Sequence, residues 1–260
     1  LPYITHIRET VQKPFLYKKI LGTYMGKLSS RMIAVSQATR DAWSDDVSGT
    51  KIDVIHNGIE SIQVEPVELK TELQLPPDAL VIGTIARIHP QKGIDYFLQI
   101  AKTLNKIDPH IYFVLIGDHY EDYEAYAEEI QEYVKAHKLT NHVFFLGFKK
   151  EPIAYLKAFD VFLFPSITPD SFPTVILEAF SQKVPVVATQ QGGALEMITH
   201  GVNGLFIPIQ KPLEAAEVIY ALIVSETQRT VIAAKGFEKF KAQYTLQIFS
   251  ERINAYLQTL

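Results

Sequence analysis

From Leu80 onward the chain alternates short apolar runs with amphipathic or charged segments, and this alternation restricts the fold more than any other feature. Leu80 to Ala86, Ile111 to Ile116, Val143 to Leu146, Val161 to Phe164, Val184 to Ala188 and Leu205 to Ile207 read as strands with no polar face. Between them, Ile94 to Ile107 has apolar residues at helical spacing and Tyr123 to His137 is a charged helix; Ile153 to Ala158, Thr174 to Ser181 and Leu195 to Thr199 are shorter segments. A strand that is apolar on both sides needs cover on both sides. Strands and helices that alternate through short connections supply that cover as βαβ units on a parallel sheet. The expectation is therefore an α/β fold, a doubly wound parallel sheet of Rossmann-like form over about residues 80–210. Helices from Leu213 to Val224, Thr227 to Gln243 and Thr245 to Leu260 follow it.

Upstream the pattern is shorter. Tyr3 to Ile7 is β-like, Phe15 to Leu28 helical, Arg31 to Ser36 a strand, Gln37 to Trp43 a helix start and Lys51 to Ile55 a strand. Asn57-Gly58 then signals a turn, since both residues tolerate positive φ. Glu60 to Asp78, with Pro66, Pro76 and Pro77, has no clear period and reads as a linker or hinge. The chain divides accordingly into 1–58, a hinge at 59–78, a main domain at 79–225 and closing helices at 226–260. Leu1 to Arg8 lacks the pattern of a signal peptide and reads as a strand already under way, without a starting Met. No apolar run approaches the roughly 18 residues of a membrane span.

In an open parallel sheet, ligands bind beyond the carboxyl ends of the strands. The loops there are chemically loaded. After the first strand of the main domain comes Ala86-Arg87-Ile88-His89-Pro90-Gln91-Lys92-Gly93, whose planar Arg87 fork and Lys92 point charge suit a diphosphate. Gly117-Asp118 and Gly147-Phe148-Lys149 end the next two strands, and Thr189 to Gly193 ends the fifth. After the fourth lies Phe164 to Phe180, in which Pro173 is expected at the first helical position. That places Asp170 at the mouth of a helix N-terminus, which attracts anions, with Glu178 in the second turn. Two carboxylates framing such a mouth invite a ligand with both a phosphate and a polyol, such as a nucleotide sugar. A turn-initiating Asp170 and a surface Glu178 fit the spacing equally well.

Several function classes are excluded or unsupported. A formal charge of −4 provides no basic excess for general nucleic-acid binding. The absence of cysteine excludes disulfides and thiolate metal sites and fits a reducing, cytoplasmic setting. There is no G-x-G-x-x-G after the first strand and no P-loop, none of the eight histidines has metal-ligand spacing, and Ser166 lacks the surround of a nucleophile elbow. Glu121 to Glu132 reads as a solvated helix face. Arg8, Lys13, Lys18, Lys19, Lys27 and Arg31 make the first stretch basic, either as ordinary surface or as a membrane-facing or acceptor-facing patch.

Taken together, Ile33-Ala-Val-Ser36, Val54-Ile-His-Asn-Gly58, Gly83 to Gly93, Phe145-Leu-Gly-Phe148, Asp170 to Ala179 and Gly192-Gly193 with Glu196 closely resemble the C-terminal part of a GT-B fold glycosyltransferase of family 4, the "glycosyl transferases group 1" set. The resemblance implies that residues 1–58 are the end of an acceptor-side Rossmann domain, that 79–225 bind a nucleotide sugar, and that the last helices cross back toward the N-terminal part. It implies that Arg87 and Lys92 hold the donor diphosphate and that Asp170 and Glu178 form the E-x7-E motif, facing the sugar hydroxyls and the ribose respectively. Gly147 and Phe148 would lie by the base, and the amides between Phe172 and Val175, with Pro173 and Thr174, by sugar and phosphate. Two positions depart from the pattern: Asp170 is shorter than the usual Glu, and Pro173 lacks the amide that the frequent glycine supplies.

The implied activity is sugar transfer with retention from a nucleotide diphosphate sugar, such as a UDP- or GDP-sugar, to a glycan or lipid-linked acceptor. It would need neither metal nor cofactor, and would draw on an N-terminal domain supplied in cis or in trans, in the cytoplasm or at its membrane. Arg87, Lys92 and Asp170 are the residues expected at the reacting end. The alternative is a nucleotide-sugar-binding module without turnover. A nucleotide-sugar epimerase on the same scaffold fits the motifs less well.

Overall fold

The computed structural model describes residues 3–9, 14–47 and 51–259. Of the basic residues above, Lys13 lies outside them. The first part comprises β1 (Ile4–Ile7), α1 (Phe15–Leu28), β2 (Arg31–Ala34), α2 (Gln37–Ser44) and β3 (Ile52–Val54). The strands pair in parallel in the order β1-β2-β3, Ile4 opposite Arg31 and Met32 opposite Ile52. The Ser36 side chain caps α2 by accepting from the Thr39 amide, so the strand-to-helix switch there is set locally. Ile7, Met32, Trp43 and Val47 form a small core under this sheet.

The hinge expected over 59–78 is not a free tether. It contains α3 (Leu69–Glu72), and Leu69 is only 1% exposed, packed with Val67, Leu73 and Leu75 into the main core. Those apolar residues, scattered among Glu and Pro, give the segment something to bury that periodicity alone does not reveal.

The main part runs β4 (Leu80–Ile85), α4 (Ile94–Ile107), β5 (Ile111–Ile116), α5 (Glu124–Ala136), β6 (Val143–Phe145), α6 (Ile153–Leu156), β7 (Val161–Phe164), α7 (Thr174–Ser181), β8 (Val186–Thr189), α8 (Ala194–Met197) and β9 (Leu205–Ile207). Three helices close the chain: α9 (Pro212–Ile223), α10 (Glu226–Gln243) and α11 (Leu246–Leu257). The six strands are all parallel, in the order β6-β5-β4-β7-β8-β9. Alternate strand residues point to opposite faces, so Ile82, Phe113 and Leu163 pack under α4, α5 and α9, while Val81, Val114 and Phe162 pack under α7, α8 and the end of α10. This is the doubly wound sheet that the alternation predicts. Strands expected to begin at Val184 or to end at Ala86 are shorter by one or two residues, a fraying at the ends that periodicity cannot locate.

From β4 the chain winds outward to β5 and β6, then returns to the other side of β4 to lay down β7, β8 and β9. The direction reverses between β4 and β7, and this switch point opens a crevice at the carboxyl ends of those two strands. The two sheets are joined twice at one place. Ile59 donates to the Tyr244 carbonyl at 3.0 Å and accepts from the Leu246 amide at 2.8 Å, so the outgoing and returning chains lie side by side. Beyond this crossing α11 runs back over the first sheet, where the Tyr256 hydroxyl meets Asp53 Oδ2 at 3.2 Å.

Candidate functional site

The loops after β4 and β7 meet at the crevice. The first leaves the sheet at Ala86, passes Arg87 and makes a short 3-10 turn, Pro90–Lys92, before α4. Gly93 between them has φ of +68°, and a Cβ there would run into the Pro165 carbonyl. Only glycine lets the two loops approach this closely. The second loop runs from Pro165 to Pro173. Pro173 is not at the first helical position but one step earlier, as the N-cap, extended at φ −69° and ψ 100°. α7 thus starts at Thr174 with no side-chain cap, and its first amides open on the crevice.

Lys92 and Asp170 meet directly, Nζ to Oδ2 at 2.8 Å, each side chain about a quarter exposed at 26%. Arg87 has no carboxylate partner among the described residues; its guanidinium lies 5.1 Å from the centre of the Tyr120 ring. The local field is positive. Burial, then the charges of Arg87 and Lys92, hold the His89 imidazole below its ordinary pKa. Gly193 donates its amide to the Asp170 carbonyl at 2.8 Å, and Gly192, with φ of +54°, packs against the same backbone. The glycine pair after β8 therefore holds the acid in place from below.

Three adjoining cavities share these residues. One of about 410 Å³ lies between Lys92, Asp170 and the Arg8-Glu9 pair that follows β1. A second, about 260 Å³, contains Arg87, Lys92 and Asp170 together with Phe172, Pro173, Thr174 and Val175. A third, about 460 Å³ and mostly apolar, extends from Arg87 past Tyr120 to Phe148. Phe148 is 76% exposed at the end of this cavity, whereas Gly147 lines none of the three.

Glu178 stands apart from Asp170. It lines a separate cavity, about 540 Å³, with Ile59, Ile62 and Val64 of the hinge segment and with Pro152, which also lines the Phe148 cavity. Burial pushes its carboxyl above the ordinary range, opposed by a hydrogen bond from the Thr174 side chain. The structure thus gathers Arg87, Lys92, Asp170 and residues 172–175 around one space; Phe148 lines the adjoining apolar cavity, and Glu178 a separate one that shares Pro152 with it. Within the described residues no cluster of His, Asp or Glu has the geometry of a metal site.

Sequence reasoning passed over several participants. Gln91 and Thr168 line the crevice from within the two loops singled out above, where they carried no assigned role, and Tyr120 lines it from outside every quoted motif. Glu196 lies in a quoted motif, yet its work is visible only in three dimensions. Its carboxylate accepts from the Gln37 and Ala38 amides at the start of α2, at 2.9 and 3.1 Å, and contacts His56 Nε2 at 2.8 Å. The His56 ring in turn stacks on Phe172, centroids 5.1 Å apart and planes within 8°. Burial pushes the Glu196 carboxyl up, but His56 and the two amides outweigh it and hold the pKa below the ordinary value.

Comparison with known proteins agrees with this architecture. The chain is 28% identical over 210 residues to the lipopolysaccharide core biosynthesis glycosyltransferase LpsE of Rhizobium meliloti, covering 81% of this chain and 58% of LpsE. It is 27% identical over 240 residues to the mannosyltransferase LpsB of the same organism, covering 90% and 67%. The crystal structure of Anabaena Alr3699/HepE in complex with UDP-glucose superposes with a TM-score of 0.90 at 25% identity, covering 100% of this chain and 72% of that one. The chain spans about half the length of many curated relatives it matches. The sequence pattern of the family described as "Glycosyl transferases group 1" matches residues 67–239, most of the chain and both loops that meet at the crevice. The chain belongs to that family and has the fold of the GT-B glycosyltransferases.

Proposed function

We propose that the crevice holds a nucleotide diphosphate sugar and that the protein transfers the sugar, with retention, to a growing glycan or a lipid-linked saccharide. One observation carries this reading. Arg87, Lys92 and the uncapped amides at the start of α7 converge on a single cavity beside Asp170. Two cations and a helix N-terminus form a receptacle for a diphosphate. When the bond between sugar and diphosphate breaks, negative charge grows on the departing oxygen, and donors fixed in advance around it stabilise that charge. Asp170 is placed to accept from sugar hydroxyls toward the Arg8 side. The apolar surface by Tyr120 and Phe148 suits the base, and Glu178 the ribose. The neighbours' names support the substrate class: UDP-glucose is bound in the Anabaena structure, and LpsE and LpsB are named for lipopolysaccharide core biosynthesis.

Calorimetry on Arg87→Ala tests the assignment. Charged hydrogen bonds contribute about 1.5–3 kcal/mol each, so UDP or GDP should bind roughly ten- to a hundredfold more weakly, while the nucleoside alone should be affected little. Equal losses for nucleoside and diphosphate would refute the role of Arg87. A binding module without turnover is the second reading. Release of nucleotide diphosphate by residues 1–260 in the presence of an acceptor excludes it.

A further inference from the structure

We propose that Tyr120 is a positioning residue for the donor: its ring holds the Arg87 guanidinium at the junction of the three crevice cavities and leaves the fork uncommitted until a diphosphate arrives. The proposal rests on reading the crevice as a nucleotide diphosphate sugar site. Arg87 lines all three cavities, so the place where its guanidinium rests decides which of them it serves. Among the described residues its side chain has neither a hydrogen bond nor a carboxylate partner; its neighbour is the Tyr120 ring, 5.1 Å away. Lys92 differs. Its Nζ is already bound to Asp170 Oδ2 at 2.8 Å, and that pair must loosen before Lys92 turns all its donors to a phosphate. An aromatic ring attracts a cation through the quadrupole of its π system. It therefore fixes the guanidinium without saturating the five donors that suit a diphosphate.

The pairing is built into the fold. The loops after β4 and β5 are clamped on both sides of it: the Ala86 amide donates to the Ile116 carbonyl and the Ile88 amide to the Asp118 carbonyl, each at 3.0 Å. A Cβ on Gly117 would run into the Ala86 carbonyl, so the backbones approach this closely only at a glycine. Farther out, the His89 ring lies 4.4 Å from the ring of Tyr123, at the end of the short 3-10 turn Glu121–Tyr123. Arg87 sits between these contacts on one loop and Tyr120 between them on the other. Asp118, Glu121 and Asp122 flank Tyr120, yet none of them forms an ion pair with Arg87. Asp118 Oδ1 instead accepts from the His119 amide at 2.8 Å and lies 2.9 Å from Nδ1 of the same histidine. Tyr120 is 60% exposed, so the core does not depend on its ring.

Calorimetry on a double-mutant cycle tests the proposal, with UDP and uridine as ligands, or GDP and guanosine where the unaltered chain prefers them. A cation–π contact at an exposed site is weak, so Tyr120→Leu should weaken UDP binding about two- to fivefold and leave uridine binding unchanged. Tyr120→Phe keeps the ring and should restore the affinity for UDP. In an Arg87→Ala background Tyr120→Leu should cause no further loss, because the group that the ring positions is gone. Unchanged melting temperatures would show that each variant folds. Three results overturn the proposal: UDP binding that Tyr120→Leu leaves unchanged, a loss that persists in full when Arg87 is already alanine, or a loss of the same size for uridine. The last two would make Tyr120 a platform for the base instead. Failure of the donor reading itself looks different: the unaltered chain binds neither UDP nor GDP, or Arg87→Ala weakens nucleoside and diphosphate alike, and the role of Tyr120 falls with it.

Discussion

Glu178 sits half-buried with its carboxyl pKa raised, which means that the charged form is disfavoured in the folded protein. A carboxylate with a raised folded pKa reduces stability above that pKa. Glu178→Gln removes the charge and should raise the melting temperature at neutral pH. If Glu178 accepts from the ribose hydroxyls, the same change should weaken UDP or GDP binding by about 1–2 kcal/mol, roughly tenfold. A variant that is more stable and binds equally well would remove Glu178 from the site. Asp170 is instead paired directly with Lys92. The types and spacing of these acids were legible in the sequence. Their separation into two cavities was not, because it depends on how far α7 turns between its mouth and its second turn and on where the hinge segment lies.

At the scale of elements, the crevice is shaped by loops pressed together at glycines. Gly193 has an ordinary φ of −63°, so its requirement is space rather than conformation: a Cβ would collide with the Ser171 carbonyl and crowd Phe172. Gly193→Ala should therefore displace the Asp170–Phe172 loop. We expect a loss of about 1–3 kcal/mol of stability, typical of overpacking, and a larger proportional loss of turnover than of nucleotide affinity, measured by thermal unfolding and steady-state kinetics. Retained turnover would show that the loop can yield. The glycine pair was visible in the sequence as a motif, but what it supports was not. Pro173 illustrates the same limit. Proline is compatible with both the N-cap and the first helical position, and only the traced backbone distinguishes them.

At the scale of the whole molecule, the two sheets are tied by Glu196, which bridges the α2 amides and His56, and by the chain crossing at Ile59 and Thr245. The Glu196 carboxyl has a lowered folded pKa, so its contribution is present above the ordinary value of 4.5 and is lost as pH falls through the lowered one. Glu196→Gln should cost about 2 kcal/mol near neutral pH, a fall of roughly 4–8 °C in melting temperature. The gap to the unaltered protein should close as pH is brought below 4.5. A gap that is independent of pH would mean that the carboxylate charge is not what holds the sheets.

Read alone, the sequence was sufficient for the parallel α/β architecture, the order of the main sheet's elements and the loops that meet at the crevice. Strand and helix periods are local, and a residue's immediate neighbours decide them. The contacts that make a site join Lys92 to Asp170 across 78 positions, His56 to Glu196 across 140 and Gln37 to Glu196 across 159. These depend on strand order, and strand order has no local signature. Any two of these apolar strands could pair through the same backbone hydrogen bonds. Only the requirement to bury both faces of one sheet at once sets β4 beside β7 and opens the crevice between them.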